Sequence, residues 1–347
     1  MTAGRDANIL LFNVNRVGDV LFSTAVIRNL RYNFPHSSIA CAIPPRCFEV
    51  LRGNPYLDEI IIFDEKGAHK GFGGMLTFCA ELRRRRFSKV FLLHRSFSRA
   101  LLCTLAGITE RIGYRTGKRD FLLTRAFTAP DIFSTHRADY YLDLLGQAGL
   151  EVRDRHTDFP INDQHLEKID ALVSDFCEDS DFLVAINPGG NWLPKRWPRE
   201  NYAALARRLS REFSAKVIVT GGPEDKALAE EIGRESGVEV LSLCGVCSLK
   251  EFAAFIKCAD IFITADSDPL HIAAASGARH IIALFGPTDP ALTGPVQAEH
   301  TVVLRKSTGC SIPCHVVDCA DNRCMKAITV DDVISEVRRI VESDYAG

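Results

Sequence analysis

Residues 182–198 read FLVAINPGGNWLPKRWP, and this stretch decides the fold. An apolar run of strand length leads into a Gly-Gly turn, and a Trp-Pro pair then opens an amphipathic helical stretch. Residues 8–19, NILLFNVNRVGD, have the same order of strand, glycine turn and helix near the start of the chain. The sequence therefore predicts two strand–loop–helix units, the second of which begins in mid-chain.

Short apolar runs alternate with amphipathic stretches through both halves, as in α/β proteins with parallel sheets and right-handed crossovers. We predict two Rossmann-like, doubly wound domains at 1–160 and 161–328, facing each other across a ligand-binding cleft, and a helical segment at 329–347 that could pack back on the first domain. The predicted strands span 9–14, 38–43, 59–63, 89–93, 182–187, 216–220, 238–242, 260–264 and 280–285. The predicted helices span 20–33, 74–85, 164–176, 199–213, 226–236, 249–258, 270–275 and 330–343.

The composition is that of an ordinary globular chain. Its 347 residues suggest two domains at roughly 150 residues each. With 46% apolar and 25% charged residues, it is not a disordered, collagen-like or disulfide-stapled protein, and a net charge of −2 gives no general attraction to nucleic acid. No apolar run approaches the ~18 residues of a membrane span, and the start has no signal-peptide pattern. Twelve cysteines then indicate a reducing cytoplasm and mostly free thiols.

The first glycine turn contains Arg16, Gly18 and Asp19. Gly18 permits the sharp turn, and Asp19 is expected at or near the N-cap of the next helix. Asp19 is therefore either a helix-capping residue or a carboxylate that takes a proton from a nucleophile. Arg16 could pair with this carboxylate or contact an anionic substrate.

The second glycine turn, Gly189-Gly190, precedes Lys195 and Arg196. Glycines let backbone N–H groups approach a phosphate, and the two cations can neutralise its charge. A turn followed by a solvated Lys-Arg pair is the structural alternative. A third loop, after the next predicted strand, contains Glu224, which could contact a ribose or a base.

The segment TADSDPLH contains Asp266, Ser267, Asp268 and His271. Asp268, which precedes a proline, is predicted to be the N-cap of a helix whose N-terminus suits a diphosphate. Asp266 and Asp268 share the spelling of a metal-binding DxD pair, but we interpret them as part of this helix start. His271 in the first turn is either a structural residue or part of the same site.

Four motifs follow one another along the chain: Gly-Asp at 18–19, Pro-Gly-Gly…Lys-Arg-Trp-Pro at 188–198, Asp-Ser-x-Pro-Leu-His at 266–271 and Phe-Gly-Pro-Thr-Asp-Pro at 285–290. Together they resemble the ADP-heptose:lipopolysaccharide heptosyltransferases, glycosyltransferase family 9. His94-Arg95 and Arg-Ile-Gly-Tyr at 111–114 also fit the first domain of this family. The similarity extends over almost the whole chain.

The resemblance implies a GT-B fold and an inverting, metal-independent enzyme without a cofactor. Its expected reaction moves heptose from ADP-L-glycero-D-manno-heptose to the inner core of lipopolysaccharide, with Asp19 as the general base. The residues assigned to the donor are Gly189, Gly190, Lys195, Arg196, Glu224, Asp266, Ser267 and His271. The residues assigned to the acceptor are Arg16, Gly18, His94, Arg95 and Arg115.

Asp268 departs from the family pattern, which usually has glycine there. A side chain at this point narrows backbone approach and adds negative charge near the expected diphosphate. The alternatives are a GT-B enzyme with another nucleotide sugar or surface-glycan acceptor, and a non-catalytic sugar-nucleotide-binding protein. A Rossmann dehydrogenase or epimerase is disfavoured because the chain lacks a GxGxxG loop and a suitably placed Tyr-x-x-x-Lys pair.

The first domain is locally basic. Residues 83–125 contain twelve lysines and arginines but only two acids, Glu110 and Asp120. This excess predicts an anionic partner, and lipopolysaccharide at the cytoplasmic face of the inner membrane would suit it. Membrane contact would then be peripheral and electrostatic, and nucleic acid is not an expected partner.

A cysteine-rich segment lies near the C-terminus and includes His315. Free thiols, a zinc site and a disulfide formed on oxidation all remain open for it. The Cys-x-x-Cys pair at 244–247 lies between a strand and a helix and is interpreted as bordering the adenine pocket. The four cysteines of the segment are Cys310, Cys314, Cys319 and Cys324.

Overall fold

The computed structural model describes residues 7–178, 180–190, 192–314 and 316–345. Asn191 of the second glycine turn and His315 of the cysteine-rich segment lie outside these residues. Contacts within the chain divide it into two compact units, one ending at Pro160 and the other beginning at Ile161.

The first unit is built on one sheet of six parallel strands. These strands are β1 (Asn8–Phe12), β2 (Ser38–Ile43), β3 (Glu59–Ile62), β4 (Lys89–Leu92), β5 (Glu110–Tyr114) and β6 (Arg125–Phe127). Their order is β3-β2-β1-β4-β5-β6, the doubly wound order of Rossmann folds. The helices are α1 (Val17–Phe22), α2 (Thr24–Asn33), α3 (Phe48–Leu51), α4 (Gly71–Arg85), α5 (Phe97–Leu105) and α6 (Arg137–Gln147).

The second unit repeats this architecture. Its strands are β7 (Leu183–Asn187), β8 (Lys216–Val219), β9 (Val240–Ser242), β10 (Ile261–Ala265), β11 (Ile281–Leu284) and β12 (Thr301–Leu304). They pair in the order β12-β11-β10-β7-β8-β9, again all parallel. The helices are α7 (Asp163–Val173), α8 (Arg199–Phe213), α9 (Lys226–Ser236), α10 (Leu249–Cys258), α11 (Asp268–Ser276), α12 (Pro290–Thr293), α13 (Arg323–Lys326) and α14 (Val330–Tyr345).

The strand order fixes where ligands can bind in each unit. In such sheets a crevice opens where the order reverses, between β1 and β4 in the first unit and between β7 and β10 in the second. The loops after these four strands contain the first glycine turn, His94-Arg95, the second glycine turn and the segment that begins at Asp266. We call the edge at which the parallel strands end the carboxyl edge of each sheet.

The predicted helix at 20–33 is two helices, broken at Ser23. The Ser23 hydroxyl donates to the carbonyl of Val20 and accepts a hydrogen bond of 2.7 Å from the side-chain amide of Asn13. The Thr24 hydroxyl bonds back to Leu21 in the same way. Such hydroxyl–carbonyl bonds compete with the helix ladder, which explains the break.

The last helix belongs to the core of the second unit. Val333, Ile334, Val337 and Ile340 of α14 are buried in the same apolar cluster as Trp197. The indole Nε1 of Trp197 donates to the carbonyl of Ile328 (2.8 Å), just before this helix. Within the residues that the structure describes, no helix combines the length and apolarity needed to cross a membrane.

Candidate active site

The second unit contains a cavity of about 420 Å³ at the carboxyl edge of its sheet. Gly190, Glu224 and Ser267, three of the predicted donor residues, line it, and so does Asp268. Cys247 of the Cys-x-x-Cys pair also lines the cavity, whereas Cys244 is buried in the core.

Apolar side chains outside the predicted donor residues form part of the cavity wall. They come from the end of β9 and from the first two turns of α10. Their apolar spacing predicts only that they pack inside the protein. The sequence does not distinguish side chains that line a cavity from side chains of the core. A pocket that combines such side chains with polar turns suits a flat ring system bearing hydroxyl groups. These residues are Leu243, Leu249, Phe252 and Phe255.

Lys195 and Asp266 form an ion pair beside the start of α11. Lys195 Nζ donates to Asp266 Oδ2 at 2.7 Å, and Thr293 Oγ1 donates to the same oxygen at 3.2 Å. His271 Nε2 lies 3.6 Å from the other carboxylate oxygen. Burial alone would raise the pKa of Asp266, but the bond to His271 and the charge of Lys195 outweigh it and hold that pKa well below its usual range. Asp266 is thus a buried anion that fixes the Lys195 ammonium.

The local backbone explains why both of these residues of the second turn are glycines. A Cβ on Gly189 would lie 2.4 Å from a carboxylate oxygen of Asp225. Gly190 has φ +146°, a conformation that L side chains rarely adopt. Arg196 Nε donates to the carbonyl of Gly190 (2.8 Å). Gly189 and Arg196 therefore shape the turn, and Gly190 reaches the cavity.

The N-cap of helix α11 lies one residue earlier than the sequence predicted. Ser267 is its N-cap and Asp268 its first helical residue, so Asp268 is not the cap. The Ser267 hydroxyl donates to the carbonyl of Ala265 (3.2 Å). The cavity lies at this helix terminus, where a helix dipole favours negative charge.

In the first unit, Asp19 lies in the first turn of α1, three residues after the N-cap Arg16. Gly18 is buried and Arg16 is exposed. Asp19 Oδ1 accepts a hydrogen bond of 3.1 Å from the hydroxyl of Tyr141, a residue of α6. Burial and the nearby Asp19 raise the pKa of Tyr141, so this hydroxyl keeps its proton. Because Asp19 and Tyr141 are 122 residues apart, no local sequence pattern could predict this contact.

His94 follows β4 and is surrounded by buried arginines. Its Nδ1 accepts a hydrogen bond from the Ser96 backbone N–H (3.1 Å). Burial, Arg99 and Arg119 lower the pKa of His94 to about 4, which keeps the imidazole neutral near pH 7. Arg99 binds the side chains of Asn15 (2.9 Å) and Glu65 (2.8 Å), and neither of its other two nitrogens has a hydrogen-bond partner within the described part of the chain.

The basic excess of the first domain is partly neutralised by acids from other parts of its sequence. Arg85 donates from Nε to both carboxylate oxygens of Glu59 and from Nη2 to Oε1, and Arg99 pairs with Glu65. The run of arginines at 83–86 ends α4 and precedes β4, which places it at the edge opposite His94. The predicted acceptor residues Arg95 and Arg115 do lie together, because Arg95 Nη2 donates to the Arg115 carbonyl (3.5 Å).

The cysteine-rich segment packs beside the second glycine turn. The Asn322 side chain donates to the carbonyl of Arg196 (3.1 Å), and Cys324 is buried near Gly286. All twelve cysteines are free thiols. Among the described residues, which exclude His315, no three His, Cys, Asp or Glu side chains are grouped to hold a metal ion.

The chain consists of two Rossmann-type α/β units in doubly wound order, the architecture of the GT-B fold, which is a fold of glycosyltransferases. A Lys-Asp pair and a cavity lie in the second unit, the cavity at the carboxyl edge of its sheet. The family model of glycosyltransferase family 9 (heptosyltransferase) matches residues 75–322. The chain belongs to this family and is a glycosyltransferase.

Relatives extend this similarity over most of the chain. Lipopolysaccharide heptosyltransferase 2 of Salmonella typhimurium is 27% identical over 85% of this chain and 87% of its own length. A crystal structure of a family 9 glycosyl transferase from Veillonella parvula has a TM-score of 0.85 and 24% identity, covering 97% of this chain and 98% of that one. E. coli ADP-heptose lps heptosyltransferase II has a TM-score of 0.80 and 23% identity, covering 97% and 99%.

Proposed function

We propose that this enzyme transfers heptose from ADP-L-glycero-D-manno-heptose to a sugar of the lipopolysaccharide inner core, with inversion and without a metal ion. The assignment of the donor site rests on the cavity at the start of α11 together with the Lys195 ammonium that Asp266 fixes. The Salmonella relative is named a lipopolysaccharide heptosyltransferase and the E. coli relative an ADP-heptose enzyme. These names support lipopolysaccharide as the acceptor and ADP-heptose as the donor.

The cavity suits the nucleoside part of such a donor. Its apolar wall, which includes Phe252, can pack against a purine face, and Glu224 can accept hydrogen bonds from ribose hydroxyls. The diphosphate would then lie at the N-terminus of α11, near the Gly190 turn. Lys195, which Asp266 holds by a 2.7 Å bond, supplies the positive charge that the leaving diphosphate needs.

Asp19 is the proposed general base. The acceptor hydroxyl attacks the anomeric carbon of the heptose from the face opposite the diphosphate. Its proton passes to the Asp19 carboxylate, the new carbon–oxygen bond forms, and the bond to the diphosphate breaks with its electron pair leaving on ADP. A positioned carboxylate contributes about 10²–10⁴-fold to such a step. Tyr141 holds that carboxylate from a buried hydroxyl.

The acceptor would approach at the carboxyl edge of the first sheet. Arg95 and Arg115 are exposed there and can pair with the anionic groups of an inner-core sugar. The neutral His94 beside them offers an uncharged hydrogen-bonding group. This acceptor would place the enzyme at the cytoplasmic face of the inner membrane, as a peripheral protein.

A donor and acceptor panel tests this proposal. Purified enzyme is given ADP-heptose with a series of heptose-truncated lipopolysaccharides in EDTA, and GDP-, UDP- and dTDP-sugars are run beside it. Transfer from ADP-heptose alone, undiminished by the chelator, is the expected result, and the best acceptor identifies the step. Loss of transfer in EDTA would refute metal independence.

Asp268 gives the second candidate, a transferase with another nucleotide sugar. Asp268 lines the donor cavity at the helix terminus where the diphosphate would lie. If GDP-, UDP- or dTDP-sugars are used and ADP-heptose is not, this second candidate replaces the first. The Asp268→Gly variant then shows whether this carboxylate selects the donor.

A further inference from the structure

Large apolar side chains are exposed on the first unit. Phe72 is 82% exposed and Phe121 76%, while Leu76 and Phe97 are 48% and 43% exposed. Single exposed apolar residues are ordinary on a protein surface, but these four come from three neighbouring elements. We call Phe72, Leu76, Phe97 and Phe121 the apolar rim.

The members of the apolar rim share one edge of the sheet. Helices α4 and α5 pack together, and each follows a parallel strand, so both begin at the carboxyl edge. Arg83 in the last turn of α4 donates to the carbonyl of Leu105 at the end of α5 (2.5 Å), which shows that the helices run side by side in one direction. Both helices therefore begin at the same edge of the sheet, with Phe72 in the first turn of α4 and Phe97 in the first turn of α5. The Phe97 and Phe121 rings lie 6.2 Å apart.

Exposed cations accompany these side chains. Arg95, Arg115 and Lys118 come from the loops after β4 and β5. Phe97 is the first residue of α5, directly after the first of these loops, and Phe121 belongs to the chain segment after β5. The carboxylate of Asp120 accepts the backbone N–H groups of Thr116 and Gly117, so part of its hydrogen-bonding capacity is used within the loop. The edge thus combines aromatic rings with net positive charge.

We propose that the apolar rim, together with Arg95, Arg115 and Lys118, docks this enzyme on the surface of a bilayer that contains anionic lipids. Aromatic side chains favour the headgroup region, where an apolar ring and a polar surrounding meet. Lysine and arginine beside them are attracted to anionic headgroups. Aromatic residues and cations on one exposed edge match this partner in both chemistry and charge.

The docking surface would also present the acceptor, a conclusion that rests on the proposed function. A lipid-anchored acceptor has its sugars at the bilayer surface. Arg95, assigned above to the acceptor, lies in the loop after β4, two residues before Phe97. Docking at the apolar rim would hold those sugars beside this loop.

Vesicle co-sedimentation tests the docking surface without donor or acceptor. The full chain is mixed with vesicles of phosphatidylcholine containing about one-third phosphatidylglycerol, and with pure phosphatidylcholine vesicles. We expect the wild type to bind the anionic vesicles, with weaker binding at high salt. The F72S/F121S variant should bind at least about tenfold more weakly. The V317S variant, which alters an exposed valine of the second unit, should bind like wild type.

Three outcomes would overturn the proposal: no wild-type binding to anionic vesicles, undiminished binding of F72S/F121S, or a rim that instead joins two copies of the chain. Analytical ultracentrifugation of wild type and F72S/F121S detects the last case. Transfer to a soluble, deacylated acceptor separates the two proposals. The rim variant should keep that activity, whereas failure of transfer in both proteins would concern the proposed function alone.

Discussion

The buried hydroxyl of Tyr141 donates a hydrogen bond of 3.1 Å to Oδ1 of Asp19 and so joins α6 to the first turn of α1. Because the ring of Tyr141 is buried, this bond has one geometry, and it fixes the direction of the Asp19 oxygens. Tyr141 is thus a positioning residue for the proposed base.

Replacing Tyr141 by Phe removes this bond and keeps the ring. We expect kcat to fall about 10–100-fold, the effect of a lost hydrogen bond to a charged group, with the donor KM unchanged. Steady-state kinetics measures both. Tyr114→Phe is the matched control, because it removes a buried tyrosine bond to Asp143 (3.0 Å) and should leave kcat at the wild-type level. Equal kcat losses in both variants would assign Tyr141 a purely structural role.

Lys195→Met removes the cation that Asp266 holds. We expect donor affinity or kcat/KM to fall about 10–100-fold, because the diphosphate loses a charged partner. Isothermal titration with ADP and transfer kinetics measure the two quantities. Lys306→Met is the control, since it breaks a similar 2.6 Å pair with Asp332. Wild-type donor affinity and turnover in Lys195→Met would remove Lys195 from the donor site.

The main features of the fold could be predicted from the sequence, and the finer ones could not. The apolar strands β1 and β7 are recognisable because both faces of a central parallel strand are buried. Strands β5 and β6 were missed, since Arg111 and Arg125 interrupt their apolar pattern. The short β12 was also not predicted.

Motifs identified loops that line the cavity, but contacts distant in sequence decide the geometry there. Gly190, Glu224 and Ser267 were assigned from the sequence, and all three line the cavity. The hydrogen bonds from Tyr141 to Asp19 and from Thr293 to Asp266 depend on how helices pack. A local sequence pattern contains no information about that packing. The charge of the basic residues at 83–125 is likewise partly balanced by distant contacts, because their ion-pair partners include Glu59, Glu65 and Glu81, outside that window.

Gly245→Ala tests the packing beneath the Glu224 loop. Gly245 has φ +66°, and a Cβ there would lie 2.7 Å from Pro223 Cα. Backbone strain and overpacking should lower the free energy of unfolding by about 1–3 kcal/mol. Gly146→Ala in α6, where a Cβ meets nothing within 4 Å, should be neutral or stabilising. Urea unfolding compares them, and equal stabilities would contradict this description of the turn.

The neutral His94 predicts an acid-sensitive fold. Its pKa is about 4 in the folded chain, below the 6.5 that is ordinary for an exposed histidine. Between these values the unfolded chain binds the proton more readily, so the stability present above pH 6.5 is lost as the pH falls toward 4. His94→Gln should flatten this part of the stability–pH curve, measured by urea midpoints, with the exposed His36→Gln as the control. An unchanged slope in His94→Gln would show that His94 does not contribute to it.

The most direct test of the central claim is heptose transfer from ADP-heptose to truncated lipopolysaccharide by the Asp19→Asn variant, with ADP-heptose binding measured on the same protein. An amide keeps the shape of the carboxylate and its bond to Tyr141 but cannot accept the acceptor's proton. We predict turnover about 10²–10⁴-fold below wild type, with donor affinity unchanged. Wild-type turnover in Asp19→Asn would contradict the assignment of Asp19 as the base.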